Sequence, residues 1–560
     1  MLLALSILPI ALLIVLMVIP VRRLRMPLPS HIALPTVAVL AYGLELFSLS
    51  PGRGGGGDAS SASPWVNQLV HAAAIDGMLS SLTPLAIVFG AVLLFKTMEK
   101  SGAMGVLTAR LRSLSPDPVA QLVLVGWAFS FLIEGLSGFG TPAALAAPIL
   151  VGLGFPMLRV AAMCLVMNSV PVSFGAVGTP TWFGLGGLGL SPRELSEIGW
   201  RTALIHAAAA PVIVALAMRI VVPWKDIRAR LVFVLLAVAA SVGPYLLTAR
   251  FSVEFPSIVG GLAGLVGVAA LARWRIGLPG IPAHAPPSPI QSRLVAADNG
   301  VSAPSMSLMR AAMPLSVTVL LLAVTRIDAL GVKAVLNSDA GAAALPLGAA
   351  GGLGEAWISP ALVVGLRDIL GTGTAWRMPL LYVPFILPFV VVALAAIPLL
   401  RMSRAAVRAA WSETAQRLIR PAVALVGALV LVKMMMVGGD DAPAMVMGRA
   451  MADAAGRAWP FFASLLGSLG SFFSGSNTVS NLTFGPIQLA VAGELGLDRA
   501  TILALQSAGG AMGNMVCIHN IVAVAAVLGL SERQEAKGQD GGGGGGGAGG
   551  LRGRGRAVVG

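Results

Sequence analysis

Four short stretches of small and polar residues stand inside otherwise apolar sequence and could together bind a ligand. They run from 134 to 142, 168 to 180, 474 to 481 and 506 to 514, and each is dense in Gly, Ser, Asn, Thr or Pro. Such residues interrupt a helix and leave backbone N–H and C=O groups unpaired, which is costly in lipid. Interrupted backbone persists there only when it is buried in protein or lines a cavity, so these stretches predict a binding site.

The four stretches form two pairs with a common layout. In each pair an interrupted stretch is followed by an apolar stretch, a turn, another apolar stretch and a second interruption. Asn168 follows Glu134 by 34 residues and Gln506 follows Ser474 by 32, so the spacing agrees as well. We expect two repeated units, at about 120–182 and 458–520, with broken or re-entrant helices. Close helix packing through small residues is the alternative, but it explains neither the repetition nor the Asn and Thr content.

Glu134 is the first candidate for chemistry because it is an ionisable side chain at the end of the apolar run 122–133. Carboxylates inside membrane spans are rare and usually functional. Burial disfavours the charged form of a carboxyl, so Glu134 could take up and release a proton during a transport cycle. An interfacial glutamate at a helix end is the alternative. His519 is the second proton-coupling candidate, and for it a packed, hydrogen-bonded histidine is the alternative.

The interrupted helices also indicate the charge of the ligand. An exposed helix N-terminus offers N–H donors and a partial positive charge, which suits a small anion. Arg326 ends a further apolar run and could hold a carboxylate through a bidentate pair. Because it is near a span end, its guanidinium could equally reach water at the membrane surface.

The elements that must position these residues are membrane spans. Of the 560 residues, 56% are hydrophobic and only 11% are charged, with a mean hydropathy of +0.87, whereas soluble proteins carry about 25% charged residues. One helical span needs about 20 mostly apolar residues. The composition therefore predicts an all-α polytopic membrane protein of about 12 spans and half-spans.

The net charge of +14 does not indicate nucleic-acid binding, because the Lys and Arg residues stand in short loops between apolar segments. Arginines 22, 23 and 25 follow the first apolar run, which predicts a retained span with the N-terminus outside. Later basic clusters keep this parity. We expect a multi-pass protein of the plasma membrane. The two cysteines, Cys164 and Cys517, lie in apolar surroundings and predict neither a disulfide nor a metal site.

The polar excursions are small. Residues 51–63, 275–305 and 337–374 are expected to be loops. The transporter domain is expected to cover 1–530, followed by a disordered Gly- and Arg-rich tail at 531–560. The abrupt loss of hydrophobicity after Leu530 suggests a shifted reading frame, and a genuine tail is the alternative.

At these motifs the sequence resembles the L-lactate permease family of bacterial and archaeal transporters. The resemblance is carried by 134–142, 152–155, 168–180 and 474–481, and extends loosely from residue 5 to 530. It implies import of lactate, and often glycolate, coupled to protons. One departure stands at 513–520, where better-studied members have Gly-Lys-Met-Ile-Ser-Pro-Gln-Ser and this chain has Gly-Asn-Met-Val-Cys-Ile-His-Asn, so that Asn514 replaces a lysine.

The neutral polar residues of the motifs suit the hydroxyl and carboxylate of a 2-hydroxy acid, and their oxygens could also ligate sodium. Proton and sodium coupling both remain open at this point. The substrate-binding candidates are Ser137, Gly138, Gly140, Thr141, Asn168, Ser169, Arg326, Gly475, Ser476, Asn477, Thr478, Ser480, Asn481, Gln506, Ser507 and Asn514.

The leading hypothesis is therefore a symporter for lactate and similar small 2-hydroxy monocarboxylates. A transporter for another small anion on the same scaffold is the runner-up. An intramembrane enzyme is disfavoured because no His-Glu-x-x-His, paired Asp motif or Gly-x-Ser-x-Gly elbow is present, and a channel because no repeated pore ring is found. No cofactor is expected; the expected partners are the carboxylate, a coupling ion and lipid, and a homodimer is left open.

Overall fold

Helices form almost all of the regular structure in this protein. The computed structural model describes residues 2–18, 28–48, 63–138, 141–279, 306–326, 330–345 and 352–528. The α-helices are α1 (Leu2–Val18), α2 (Ser30–Ser48), α3 (Ser63–Ser80), α4 (Leu82–Lys100), α5 (Ala103–Arg112), α6 (Pro118–Gln121), α7 (Ser130–Ser137), α8 (Thr141–Gly152), α9 (Met157–Met167), α10 (Gly175–Trp182), α11 (Pro192–Val221), α12 (Trp224–Arg228), α13 (Leu231–Ala249), α14 (Pro256–Arg273), α15 (Leu308–Arg326), α16 (Val332–Leu336), α17 (Val392–Leu399), α18 (Arg404–Met436), α19 (Pro443–Ala455), α20 (Trp459–Ser474), α21 (Asn477–Glu494), α22 (Arg499–Gly513) and α23 (Ile518–Val527). Segments of π-helix are Leu122–Phe129 and Ile386–Val391, and 3₁₀ turns are Val172–Phe174, Gly186–Leu188, Ile369–Gly371, Gly439–Asp441, Gly456–Ala458 and Asn514–Val516.

Eight helices in the described part of the chain are long and apolar enough to cross a membrane. They are Ser30–Phe47, Asn67–Lys100, Pro118–Ser137, Pro192–Val221, Leu231–Ala249, Pro256–Arg273, Leu308–Arg326 and Arg404–Met436. A ninth span is formed if Met157–Met167 and Val172–Leu188, bent by 61°, are counted as one. Shorter apolar helices at Leu2–Met17, Thr141–Gly152 and Ile386–Leu399 bring the described part close to the expected dozen spans and half-spans. The predicted class, an all-α polytopic protein with broken helices, is confirmed.

The first unit is built around a fully buried span. Asp117 begins it by accepting hydrogen bonds from the N–H groups of Val119 and Ala120, so that α6, the π segment and α7 run continuously to Ser137. Gly138, with φ of 60°, then ends α7 in a conformation that suits glycine. Helices α8 and α9 form a hairpin, Asn168 follows α9, and α10 completes the unit.

The second unit repeats this order of elements. Helix α20 ends at Gly475, with φ of 75°, and Ser476 caps α21 by accepting a hydrogen bond from the N–H of Val479. Helices α21 and α22 form the hairpin, and Asn514 follows α22. The predicted pair of units with interrupted helices is confirmed, although Asn514, rather than Gln506, stands where Asn168 stands in the first unit.

Glycines allow α20 and α22 to lie in backbone contact. A Cβ atom on Gly509 would overlap the backbone of Ser464, and one on Gly513 would overlap that of Ser468. The Ser468 hydroxyl donates a hydrogen bond of 2.8 Å to the Gly509 carbonyl across the same contact. The second unit is therefore held together by close backbone approach.

One expected loop is folded instead. Between 337 and 379 the chain forms a four-stranded antiparallel sheet in the order β1 (Ala343–Ala344), β2 (Glu355–Ile358), β3 (Val363–Arg367) and β4 (Trp376–Pro379). Buried Trp357, Val363 and Met378 alternate with more exposed neighbours, which is the pattern of a sheet with one covered face. The expected loops 51–63 and 275–305 lie largely, and the tail 531–560 entirely, outside the described residues.

Candidate functional site

The interrupted helices of the two units meet at a cavity. The space between them, including the part open at its mouth, is about 280 Å³. Its lining residues are Glu134, Gly138, Val172, Gly175, Ala176, Pro180, Gly475, Ser476, Asn477, Thr478 and Asn514. A space of this size, part of it open at the mouth, can take only a small ligand.

Glu134 supplies the only carboxyl group among these lining residues. Its side chain is 2% exposed, and its Oε2 atom accepts a hydrogen bond of 2.9 Å from Nδ2 of Asn168. Gly175 makes room for the carboxyl, because a Cβ atom at that position would overlap Oε1 of Glu134. The carboxyl thus lies at the first break, in contact with the second, where it is available to a ligand or to a proton.

A left-handed turn forms part of the cavity wall. Ala176, Val177 and Gly178 have φ values of 45°, 58° and 73°. For residues other than glycine this conformation costs about 1–3 kcal/mol each and persists only when the surroundings impose it. Here the hydroxyl of Thr179 donates to the Ala176 carbonyl, and Nε1 of Trp182 donates to the Val177 carbonyl at 2.9 Å.

The start of α21 faces the cavity from the second unit. Ser476, Asn477 and Thr478, which form the cap and first turn of this 18-residue helix, all line the cavity. The first-turn N–H groups of a helix lack intrahelical partners and carry the positive end of the helix dipole. This end of the cavity can therefore bind an anion.

Behind the cavity a buried hydrogen-bond network joins the two units. Oγ of Ser173 lies 2.9 Å from Nε2 of His206 and donates to the Ser507 carbonyl at 3.1 Å. Nδ2 of Asn477 donates to Ser173 Oγ at 3.3 Å and to the Ser507 carbonyl at 3.1 Å. Asn481 donates to Oγ of Ser507 at 3.3 Å. The network fixes Asn477 and ties both units to α11, which carries His206.

The structure brings most of the predicted residues together at or beside the cavity. Seven of the predicted residues line it, namely Glu134, Gly138, Gly475, Ser476, Asn477, Thr478 and Asn514. Others lie one hydrogen bond behind the lining or brace the first break, namely Asn168, Asn481, Ser507, Ser137 and Thr141. Gly140 and the side chain of His519 lie outside the described residues.

Three predicted residues, Gln506, Ser480 and Ser169, have other surroundings. Gln506 bonds Ser480 at 3.1 Å and Gln488 at 2.9 Å, within the second unit. Ser169 donates to the carbonyl of Val166, in the last turn of α9. None of Gln506, Ser480 and Ser169 is among the lining residues.

Arg326 is engaged by a carboxylate of the protein. Its Nε atom lies 2.6 Å from Oε2 of Glu254, its NH2 group donates to the Tyr382 carbonyl at 2.8 Å, and its guanidinium lies 4.8 Å from the centre of the Tyr382 ring. The Arg326 side chain is only 3% exposed, so it does not reach water. Arg326 is therefore neither among the lining residues of the cavity nor at a solvated span end, and its role as a substrate ligand stays a prediction.

Sequence reasoning missed the apolar lining residues and the histidine of the network. Val172, Gly175, Ala176 and Pro180 belong to a recognised motif, but only its polar start was taken as a binding candidate. Their signal was the density of Gly and Pro, which marks irregular backbone. His206 stands alone in an Ala-rich helix, and its sequence surroundings give no comparable signal.

Comparison with known proteins shows which family this sequence matches. The family model described as L-lactate permease matches residues 3–537. A Haemophilus influenzae protein provisionally named an L-lactate permease is 45% identical over 530 residues, covering 95% of this chain and 93% of that protein.

More distant relatives have the same kind of name. The L-lactate permease of Escherichia coli K12 is 26% identical over 481 residues, covering 82% of this chain and 81% of that protein. The glycolate permease GlcA of the same strain is 25% identical over 482 residues, covering 83% and 82%. Among solved structures, the Alcanivorax borkumensis YdaH transporter aligns over 91% of this chain and 90% of its own, with 17% identity and a TM-score of 0.39, too low to carry over any feature.

Proposed function

This chain belongs to the L-lactate permease family, and from that membership we propose that it is a symporter for lactate and similar small 2-hydroxy monocarboxylates, such as glycolate. The proposed location is the plasma membrane, and the proposed coupling ion is the proton. One observation carries the proposal: a helix N-terminus and a buried carboxyl line the same small cavity, at the point where two interrupted units meet.

The substrate carboxylate is assigned to the start of α21. Its negative charge interacts favourably with the N–H groups of the first helical turn, and the hydroxyls of Ser476 and Thr478 offer further donors. Asn477 and Asn514 supply amide groups that can bind the substrate hydroxyl. The cavity lining offers no Lys or Arg among the described residues, so the helix terminus takes the role of the cation.

The proton is assigned to Glu134. An ionised Glu134 beside a bound carboxylate places two negative charges in one small buried space, and like charges so close favour protonation of one of them. Binding the anion therefore favours uptake of a proton, and release of the anion favours its loss. Coupling follows from this mutual dependence, since each ligand increases the affinity for the other by the same factor.

Sodium coupling is the second candidate, because several buried amide oxygens have no partner. Oδ1 of Asn477 and Oδ1 of Asn481 make no hydrogen bond within the described part of the chain. Amide and hydroxyl oxygens are the ligands that hard cations prefer. Imposing a sodium gradient at equal pH on both sides distinguishes the two ions.

Counterflow in proteoliposomes tests the proposal. Vesicles containing the purified protein and unlabelled L-lactate are diluted into a trace of labelled L-lactate. A carrier gives a transient accumulation of label without any ion gradient, whereas a channel or an enzyme gives none. An acidic exterior should then drive net accumulation if the proton is coupled. Absence of counterflow with both lactate and glycolate contradicts the proposal.

The orientation is proposed from the basic clusters. Arginines 22, 23 and 25 follow the first apolar run, and the excess of basic residues near span ends favours the cytoplasmic side. We expect the N-terminus outside. Two reporters can be fused before α1, one active only outside the cell and one active only in the cytoplasm. The first should be active. A silent first reporter together with an active second one contradicts this orientation.

A further inference from the structure

The side chains that line the cavity are divided by element. The apolar side chains Val172, Ala176 and Pro180 all come from one segment of the first unit. The neutral polar side chains Ser476, Asn477, Thr478 and Asn514 all come from the second unit. The cavity therefore has an apolar wall, formed by Val172, Ala176 and Pro180, and a separate polar wall.

Such a division fits a ligand that is polar at one end and carries a small apolar group. In a 2-hydroxy acid the carboxylate and the hydroxyl both need hydrogen-bond partners, and the polar wall offers them. The remaining substituent on C2 is a hydrogen atom in glycolate and a methyl group in lactate. Placing a methyl group against apolar side chains removes apolar surface from water at no cost in hydrogen bonds.

We propose that the apolar wall is the specificity determinant of the transporter: Val172, Ala176 and Pro180 contact the C2 substituent of the substrate and limit its size. This inference rests on the proposed function and goes beyond it by assigning the choice among 2-hydroxy acids to three named residues. The wall sets an upper limit of about one methyl group, while glycolate leaves part of the wall uncovered.

The limit is sharp because the wall cannot easily yield. Val172 and Ala176 are 3% and 2% exposed, so both are packed from behind. Ala176 belongs to the left-handed turn, whose carbonyls are held by Thr179 and Trp182. On its far side, a Cβ atom at Gly178 would overlap the backbone of Val253 and Glu254. A larger C2 substituent would therefore have to displace backbone as well as side chains.

The same arrangement gives the site a handedness. The carboxylate, the hydroxyl and the C2 substituent would contact the first turn of α21, the Asn514 amide and the apolar wall, which are three separate places. A site that contacts three different substituents of a chiral carbon binds the two enantiomers with unequal affinity. We therefore expect the D and L forms of lactate to compete differently, and this difference to shrink when the wall is opened.

The test is a competition series on the full-length protein in proteoliposomes. Exchange of labelled glycolate is inhibited by unlabelled glycolate, by each enantiomer of lactate and by 2-hydroxybutyrate, whose substituent is one methylene longer. One methylene at an apolar pocket discriminates by roughly 10-fold or more. The wild-type protein should bind 2-hydroxybutyrate about 10-fold or more weakly than the preferred lactate enantiomer.

Three variants change the wall in different ways. Val172→Ala and Ala176→Gly enlarge the cavity. Each should increase the affinity for 2-hydroxybutyrate, relative to that for glycolate, by about 10-fold. Ala176→Gly also removes the cost of a left-handed alanine, so it is expected to fold. Val172→Thr keeps the shape of the side chain but adds a hydroxyl. It should lower the affinity for lactate relative to that for glycolate.

Val170→Ala is the matched control, since Val170 is a buried valine of the same segment that does not line the cavity. It should leave the order of inhibitors unchanged. The inference is overturned if the wall variants change the affinities for all inhibitors by one common factor. It is also overturned if Val170→Ala changes the order of inhibitor affinities as strongly as the wall variants do. A wild-type protein that exchanges neither glycolate nor lactate overturns the proposed function itself, and the inference with it.

Discussion

Nδ2 of Asn168 lies 2.9 Å from Oε2 of Glu134, so the two breaks of the first unit are joined by one hydrogen bond. Asn168 follows α9 directly, and Glu134 stands in the last turn of α7. A charged carboxylate accepts this hydrogen bond more strongly than a neutral acid does. Gain or loss of a proton at Glu134 therefore changes the strength with which the two breaks hold each other.

Glu134→Gln should abolish proton-driven accumulation of lactate while sparing exchange of internal for external substrate. Glutamine keeps the volume of the side chain but cannot cycle a proton. Accumulation is measured in proteoliposomes with an acidic exterior, and exchange with equal pH on both sides. Glu494→Gln, at an exposed acid of α21 outside the cavity, is the matched control and should behave as the wild type. Normal accumulation by Glu134→Gln would remove Glu134 from the coupling mechanism.

Cysteine labelling should locate the substrate. Thr478→Cys lines the cavity and should be protected from a small thiol reagent by lactate. Ser412→Cys, which is exposed and distant in sequence from both units, should react equally with and without lactate. The background protein needs little preparation, because Cys164 and Cys517 are both buried and neither lines the cavity. If Thr478→Cys still exchanges lactate but lactate leaves its labelling rate unchanged, the cavity is not the substrate site.

Arg326 and Glu254 should behave as a structural pair rather than as substrate ligands. Removing one partner of a buried ion pair costs about 3–5 kcal/mol, because the other charge stays buried and uncompensated. Arg326→Met and Glu254→Gln should each lower the thermal midpoint of the purified protein, and the double variant should recover most of the loss. A cavity ligand predicts the opposite pattern: Arg326→Met would weaken lactate binding at unchanged thermal midpoint, with no recovery in the double variant.

The contact between α20 and α22 should be intolerant of a single methyl group. A Cβ atom on Gly509 would overlap the backbone of Ser464, and overpacking of this kind costs about 1–3 kcal/mol. Gly509→Ala should therefore lower the thermal midpoint. Gly493→Ala is the matched control, since a Cβ atom there meets nothing within 4 Å. Equal midpoints for the two variants would show that the helices can separate at little cost.

The sequence was sufficient to predict the residues around the cavity because helix interruptions leave a strong local signal. Gly138, Gly475 and the polar residues beside them cannot continue a helix in an apolar setting, so their chemistry alone indicated a cavity. Their equivalent positions in two units then predicted where the units meet. The helical class followed from hydropathy for the same reason: both signals are local in the chain.

Features that depend on distant partners could not be predicted in this way. Arg326 has its carboxylate at Glu254, 72 positions earlier, and no local pattern indicates that pairing. His206 joins the network through Ser173 and Ser507 only after α11 packs beside both units. The small sheet was missed because its strands are at most five residues long and are separated by Gly- and Pro-rich turns, which resemble a loop.

The electrical behaviour of transport follows from the residues that line the cavity. Within the described residues this lining has one carboxyl and no basic side chain. In the proposed proton-coupled cycle, an empty cavity with ionised Glu134 and a loaded one with neutral Glu134 and a bound anion each carry one negative charge. A complete cycle then moves no net charge, so a membrane potential cannot change the final accumulation ratio. Each half of the cycle still moves that charge across the membrane, at up to about 2.3 kcal/mol per 100 mV. The membrane potential would therefore change the rate at which the cavity switches its exposure from one side of the membrane to the other.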